Sequence, residues 1–160
     1  AGVTFTNEFY RYETEEWDKT YRVNLLAPFV LSREVSKSMP RGGSIINITS
    51  INAELAFPNN PAYPTFKSAL KQLGKTMALE LGHRGIRVNN VGPGYIKTEM
   101  TKKSWQDSVV CMQRSEKTVL GRWGETSDLE GVIIFLSSEA SSFITGQDIY
   151  VDGGWTIKGL

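Results

Sequence analysis

The sequence predicts an α/β protein organised on a short parallel sheet, and three observations carry that expectation. Short apolar runs rich in β-branched residues occur at 44–50, 86–91 and 146–151. Between them lie longer segments whose apolar residues recur at three- and four-residue steps. Gly-Pro-Gly follows the second run and Asp-Gly-Gly the third. Strand, helix, strand, helix, strand in that order implies right-handed parallel crossovers. Such sheets take their ligands outside the carboxyl ends of the strands. Ser50, Gly92–Gly94 and Gly153 therefore mark the rim where function is expected.

The elements follow in chain order. Residues 14–39 read as a helix, with Thr14 as N-cap and Glu15 and Glu16 in the first turn, where the dipole favours acid. Trp17, Tyr21, Leu25, Pro28, Leu31 and Val35 form its apolar stripe. Pro28 has no N–H to give the carbonyl of Asn24, so a kink and a free carbonyl are expected there. Arg41-Gly42-Gly43 breaks the chain, and the nearly continuous apolar run 44–50 suits a strand buried on both faces. Residues 62–81 form the clearest helix, with Phe66, Leu70, Leu73, Met77 and Leu81 on one face and Gly82 as the stop. The strand 86–91 comes next. Residues 99–120 suggest two short helices around Trp105, a length and pattern typical of a substrate lid. Ser127 and Glu130 read as a capping box for a helix running to about Leu136, ahead of the strand 146–151.

Composition narrows the function classes. The 18 basic and 17 acidic residues leave a net charge of +1, so no global field attracts nucleic acid or an anionic membrane. No apolar run approaches the ~20 residues of a membrane-spanning helix. Cys111 is the only cysteine and His83 the only histidine, which excludes an internal disulfide, a cysteine zinc cluster and a histidine-rich metal site. A soluble, cytoplasmic, non-metal α/β domain is expected.

One constellation carries chemistry. Tyr63 and Lys67 are four positions apart at the start of a helix and share a face. Ser50 ends the strand before it, so all three can converge at the rim. A free tyrosine with a pKa near ~10 is a poor base at neutral pH, and a nearby ammonium favours its phenolate. A phenol tuned in this way can exchange a proton with a carbonyl or alcohol oxygen that a serine hydroxyl holds. Asn52, Asn59 and Asn60 near this site favour a polyhydroxylated substrate. Lys71 and Lys75 extend the stripe and read as solvated charges, and His83 as a helix-end cap. Met100, Trp105 and Met112 fit either a substrate pocket or core packing. Trp123 and Trp155 fit packing or subunit contacts.

The chain resembles the C-terminal part of a short-chain dehydrogenase/reductase. Tyr63-Pro64-Thr65-Phe66-Lys67 matches that family's Tyr-x-x-x-Lys, and Ser50 stands thirteen residues before the tyrosine, the family's spacing. Val23-Asn24-Leu25 contains the match to its catalytic asparagine. Asn90 through Thr98 matches its Asn-x-x-x-Pro-Gly-x-x-x-Thr stretch. Ile144-Thr145-Gly146-Gln147 and Val151-Asp152-Gly153-Gly154 match its C-terminal signature. The resemblance implies a partial Rossmann-type doubly wound parallel sheet of about three strands with flanking helices, and NAD or NADP as cofactor. It implies Tyr63 as general acid/base, with Lys67 lowering its pKa and holding the nicotinamide ribose. It further implies Ser50 as the substrate-oxygen ligand and Asn24 holding a relay water through its main-chain carbonyl. Pro93, Gly94, Ile96 and Thr98 would line the nicotinamide pocket, and Gly2 would end the Asn-Asn-Ala-Gly motif together with Ala1.

The resemblance implies a small-molecule substrate, and the expected reaction interconverts a secondary alcohol and a ketone on a sugar, polyol or 3-oxoacyl-type compound. A homodimer or homotetramer packed through the long helices is implied. Phe66 stands where the family often has serine, and no Gly-x-x-x-Gly-x-Gly follows any strand. Residues 1–160 are therefore expected to be one domain that is the C-terminal portion of a longer enzyme. The alternative is a catalytically silent fragment that keeps only the oligomerisation scaffold.

Overall fold

The computed structural model describes residues 2–158. A helical arm comes first, comprising α1 (Thr14–Tyr21), a wide π-turn over Arg22–Leu26 and α2 (Ala27–Ser38). Strand β1 (Ser44–Ile48) leads through a turn at Ile51–Ala53 to the long helix α3 (Ala62–Leu81) and then β2 (Arg87–Pro93). Two short helices, α4 (Lys102–Gln106) and α5 (Ser108–Glu116), precede α6 (Glu130–Ser137) and β3 (Asp148–Val151). The three strands are parallel in the order β1-β2-β3.

β2 is central and closed on both sides, with every residue from Arg87 to Gly92 buried. Its two asparagines face opposite layers. Asn89 donates to Ile144 O and accepts from the Gln147 amide, whereas Asn90 donates to Lys71 O and to Asp148. Asn47 of β1 completes the set by donating to Asn90 Oδ1 at 3.0 Å. Each buried amide thus has partners, which prevents the cost of an unsatisfied polar group. Helix α3 lies so close that a Cβ at Gly74 would enter the Asn90 and Asn47 side chains.

Several expectations change. β1 is not buried on both faces. It stands at one edge of the sheet, and Ile48 is 46% exposed because no described strand covers that side. The break near Pro28 takes the form of the π-turn one turn earlier, where Ala27 donates to Arg22 O and the ladder is re-registered before the proline enters α2 at its second position. Thr14 is the first helical residue rather than the cap; Glu13 holds the cap position without a side-chain bond. Leu31 and Val35 are exposed, since no described element covers that stripe of α2. On α3, Phe66 and Leu70 are buried as expected. The remainder of the seam is Ala62, Lys67, Gly74 and Ala78, because the helix rests on the sheet through small residues.

The chain leaves α3 through a further turn at Gly82–Arg84, and the left-handed residue is Gly85 (φ 70°), not Gly82. His83 Nδ1 contacts Glu80 O at 2.8 Å, as a helix-end residue should. The capping box ahead of α6 is Glu125 with Asp128, not Ser127 with Glu130, because Arg122 grips both Asp128 oxygens and fixes the turn two residues earlier. The two short helices around Trp105 are present, and β3 begins at Asp148 rather than Gly146. Trp17 and Tyr21 pack on Phe66 with ring centroids 4.8 and 5.5 Å apart, joining α1 to α3.

Candidate active site

Ser50 lies two residues past β1 in extended backbone and caps the turn Ile51–Ala53. Its hydroxyl accepts the Asn52 N–H at 3.1 Å and donates to Asn52 Oδ1 at 3.3 Å. Tyr63 is the second residue of α3, and Asn60 accepts its N–H at 3.4 Å. Lys67 follows one turn later and is 4% exposed. Its Nζ donates to Ile48 O at 2.7 Å and lies 5.6 Å from the Tyr63 ring centroid. The serine, phenol and lysine therefore gather at the carboxyl end of β1, on one side of the sheet.

The electrostatics differ from the simplest expectation. Burial pushes the Tyr63 phenol up from its ordinary pKa, and the nearby Ser50 hydroxyl pulls the other way. The Lys67 ammonium reaches back to the Ile48 carbonyl over the ring face, and burial outweighs what favours the phenolate. Burial instead brings Lys67 itself down to about 8. The phenol is thus neutral at pH 7, the form that donates a proton. The lysine titrates near neutrality, where a group can pass protons in either direction.

Asn24 is buried in the π-turn. Its amide donates to Val3 O at 2.8 Å and Thr20 O at 3.0 Å, and its Oδ1 accepts from Val3 N at 3.4 Å. The side chain is committed to clamping the segment after Gly2, which leaves the backbone as what Asn24 can offer a ligand. A Cβ at Gly2 would lie 3.1 Å from Asn24 Oδ1 and 3.3 Å from Met100 Cε. Ala1, the other half of that motif, lies outside the described residues.

The stretch after β2 forms a wall beside this cluster. Pro93 ends the strand, and Gly94 N–H donates to Val151 O at 3.0 Å. A Cβ on Gly94 would stand 2.7 Å from Asp152 Cα, so the two backbones touch. Ile96 is 6% exposed, bridges to Gly124 and contributes to the lining of a small cavity with Tyr95, Val151 and Asp152. Thr98 is exposed; its N–H donates to Thr101 Oγ1 at 3.0 Å and its carbonyl accepts from Trp105 at 3.2 Å, anchoring the start of α4. Tyr95, which sequence reasoning passed over, is the hub of an aromatic cluster with Trp155, Trp123 and Phe57 at 4.8, 5.3 and 6.4 Å. Trp123 and Trp155 are buried and serve packing. Among the expected substrate-facing asparagines, Asn60 is committed to Thr4 and Tyr63, the Asn59 backbone to Asn7, and Asn52 to Ser50. They position the loop, so their number says nothing about substrate hydroxyls.

A cleft of about 450 Å³ lies elsewhere, lined by Lys97, Cys111, Arg122, Glu125 and Asp128. Its charges pair with one another, Lys97 with Glu125 and Arg122 with Asp128, both at 2.7 Å. It contains none of Ser50, Tyr63 and Lys67. Among the described residues no cluster of three potential metal ligands occurs, and no helix is long and apolar enough to cross a membrane.

Comparison with known proteins agrees with this fold. A family model described as enoyl-(acyl carrier protein) reductase matches residues 1–156. The chain belongs to the short-chain dehydrogenase/reductase family. It is 39% identical over 160 residues to a gluconate 5-dehydrogenase from Gluconobacter oxydans, covering 99% of this chain and 62% of that protein. It is 39% identical over 156 residues to a 3-oxoacyl-(acyl-carrier-protein) reductase from Rickettsia bellii, covering 96% of this chain and 64% of that protein. The crystal structure of a gluconate 5-dehydrogenase from Burkholderia cenocepacia in complex with NADP and tartrate superposes with a TM-score of 0.95 at 36% identity, over 98% of this chain and 62% of that one. The chain thus spans about three fifths of the length of these relatives.

Proposed function

We propose that residues 1–160 are the C-terminal portion of a single Rossmann-type domain, and that the intact protein is an NAD- or NADP-dependent oxidoreductase. It interconverts a secondary alcohol and a ketone on a sugar, sugar-acid or 3-oxoacyl-type substrate. The observation that carries this reading is the convergence of Ser50, Tyr63 and Lys67 at the carboxyl end of β1. The relatives named above act on substrates of these two kinds, which supports the range without choosing within it.

The residues present fit a nicotinamide. Lys67 is a buried cation in reach of the rim, and Gly94 keeps the wall beside it flat where a side chain would strike Asp152. Tyr63, Lys67 and the stretch Pro93–Thr98, with Gly2 at the Asn24 clamp, would hold it. When bound, the cofactor supplies or accepts the hydride. In the reducing direction Ser50 donates a hydrogen bond to the substrate carbonyl oxygen, fixing it beside the phenol. Tyr63 gives its proton to that oxygen as charge develops there. Lys67 then returns a proton to the phenolate, and the backbone of Asn24 holds the water that connects Lys67 to solvent. In the oxidising direction Tyr63 takes the alcohol proton along the same path. Tyr63→Phe in the intact protein is expected to abolish turnover while cofactor binding persists; substantial residual turnover would refute the assignment.

A second reading concerns the 160-residue chain alone. β1 lies at a sheet edge with Ile48 exposed, and no glycine-rich phosphate loop follows any of its strands. Such a chain binds dinucleotide weakly, turns nothing over and keeps the assembly scaffold. A titration that gives micromolar cofactor affinity would contradict this. Phe29, Leu31 and Val35 on the uncovered side of α2 support a homodimer or homotetramer through the long helices, which light scattering tests.

A further inference from the structure

Ser50 sits on a turn, and a turn can move unless something fixes it. Four residues on, Glu54 closes that turn by donating its own N–H to Ile51 O. Its carboxylate is held from two directions. Lys71 of α3 pairs with it, and the Tyr150 hydroxyl of β3 donates to Glu54 Oε1 at 2.5 Å. Ser68 of α3 also donates to Ala53 O at 3.0 Å. The chain of charges continues outward, with Asp148 of β3 at 3.9 Å from Lys71 and 2.8 Å from Lys75. Asp148 and Tyr150 are two residues apart on one strand and so face the same side.

Tyr150 reaches Glu54 by crossing the sheet. Its cross-strand neighbour on β2 is Gly92, and a Cβ there would enter the Tyr150 ring. Glycine at this position leaves the space through which the phenol passes from β3, over β2, to the turn that follows β1. Lys71 lies one helical turn beyond Lys67 and two beyond Tyr63 on the same stripe. Glu54 therefore ties the segment carrying Ser50 both to the helix carrying Tyr63 and Lys67 and to the far strand. Of the two lysines expected to be solvated, Lys71 is its partner and Lys75 pairs with Asp148.

We propose that Glu54, gripped by Tyr150 and Lys71, is a positioning residue that holds Ser50 in register with Tyr63. This rests on the reading of Ser50 as the substrate-oxygen ligand. The need is physical: a misplacement of about 1 Å can cost on the order of 100-fold in rate. The clasp acts through Ser50 and touches no reacting atom itself.

Two measurements test it. Hydrogen exchange at the amides of Asn52 and Ala53, which bond to Ser50 Oγ and Ser50 O, reads the turn directly. In Glu54→Gln, and independently in Tyr150→Phe, both amides are expected to exchange at least about tenfold faster, with those of Val88 and Val91 unchanged. Unchanged exchange in both variants overturns the proposal. In the full-length protein Glu54→Gln is expected to lower kcat about tenfold or more with cofactor affinity unchanged, and Lys71→Arg to keep the activity that Lys71→Met loses. In a Ser50→Ala background Glu54→Gln adds no further loss, because the residue it positions is gone. Equal losses in both backgrounds overturn the positioning role. Turnover that survives Tyr63→Phe sinks the catalytic reading yet leaves the exchange result standing.

Discussion

Lys67→Met is expected to stabilise the protein while removing its activity. Burial lowers Lys67 from 10.5 to about 8, and that shift of roughly 2.5 units corresponds to about 3 kcal/mol of destabilisation wherever both folded and unfolded states hold the proton. Below pH 8 this cost is fully present. Between about 8 and 10.5 the unfolded chain keeps the proton that the folded chain has released, so stability rises with pH across that window. Above it the cost is gone. Methionine keeps the stem that packs along α3 and removes the ammonium, but it strips a donor from Ile48 O. Water can reach that edge of β1, so the loss is about 1 kcal/mol. The net gain near pH 7 is then about 2 kcal/mol, or roughly 4–8 °C in Tm. Urea denaturation of both proteins at pH 7 and pH 9.5 measures it. The variant leads at pH 7 and the gap narrows at pH 9.5. A variant less stable at pH 7, or a gap that ignores pH, refutes the reasoning.

Other consequences are open to measurement. Turnover in the reducing direction is expected to fall as pH rises through about 8, where Lys67 loses the proton it returns to Tyr63; a flat profile to pH 10 would exclude that role. Gly94→Ala drives a methyl against the Asp152 backbone and should cost about 1–3 kcal/mol of stability by denaturant titration. Asn24→Ala removes the buried clamp on Val3, costing about 1–3 kcal/mol and speeding exchange of the Val3 amide.

What was legible in the sequence was local. Tyr63 and Lys67 announce themselves because four residues are one helical turn, and the second strand, expected at 86–91 and found at Arg87–Pro93, because Gly-Pro-Gly ends it. Ser50 followed from its place at a strand end. The misses are long-range. Glu54 meets Lys71 and Tyr150 across 17 and 96 residues, and no helical or strand period connects them. The capping box shifted because Arg122, outside the motif, claims Asp128. The expected two-sided burial of 44–50 failed for a similar reason: composition reports what a strand can bury against, whereas exposure depends on which neighbours are present. The phenol's pKa went up rather than down because burial outweighs what favours the phenolate, and spacing fixes which face Lys67 occupies but not how deeply the phenol is buried.

The most direct measurement is a crystal structure of the full-length protein with its cofactor and a non-reacting ketone or alcohol analogue. The expected result is one ligand oxygen within about 2.6–3.2 Å of both Ser50 Oγ and Tyr63 Oη, with Lys67 Nζ turned from Ile48 toward the cofactor ribose. A ligand seated instead in the cleft beside Lys97 and Arg122, with Ser50 and Tyr63 untouched, would contradict the account.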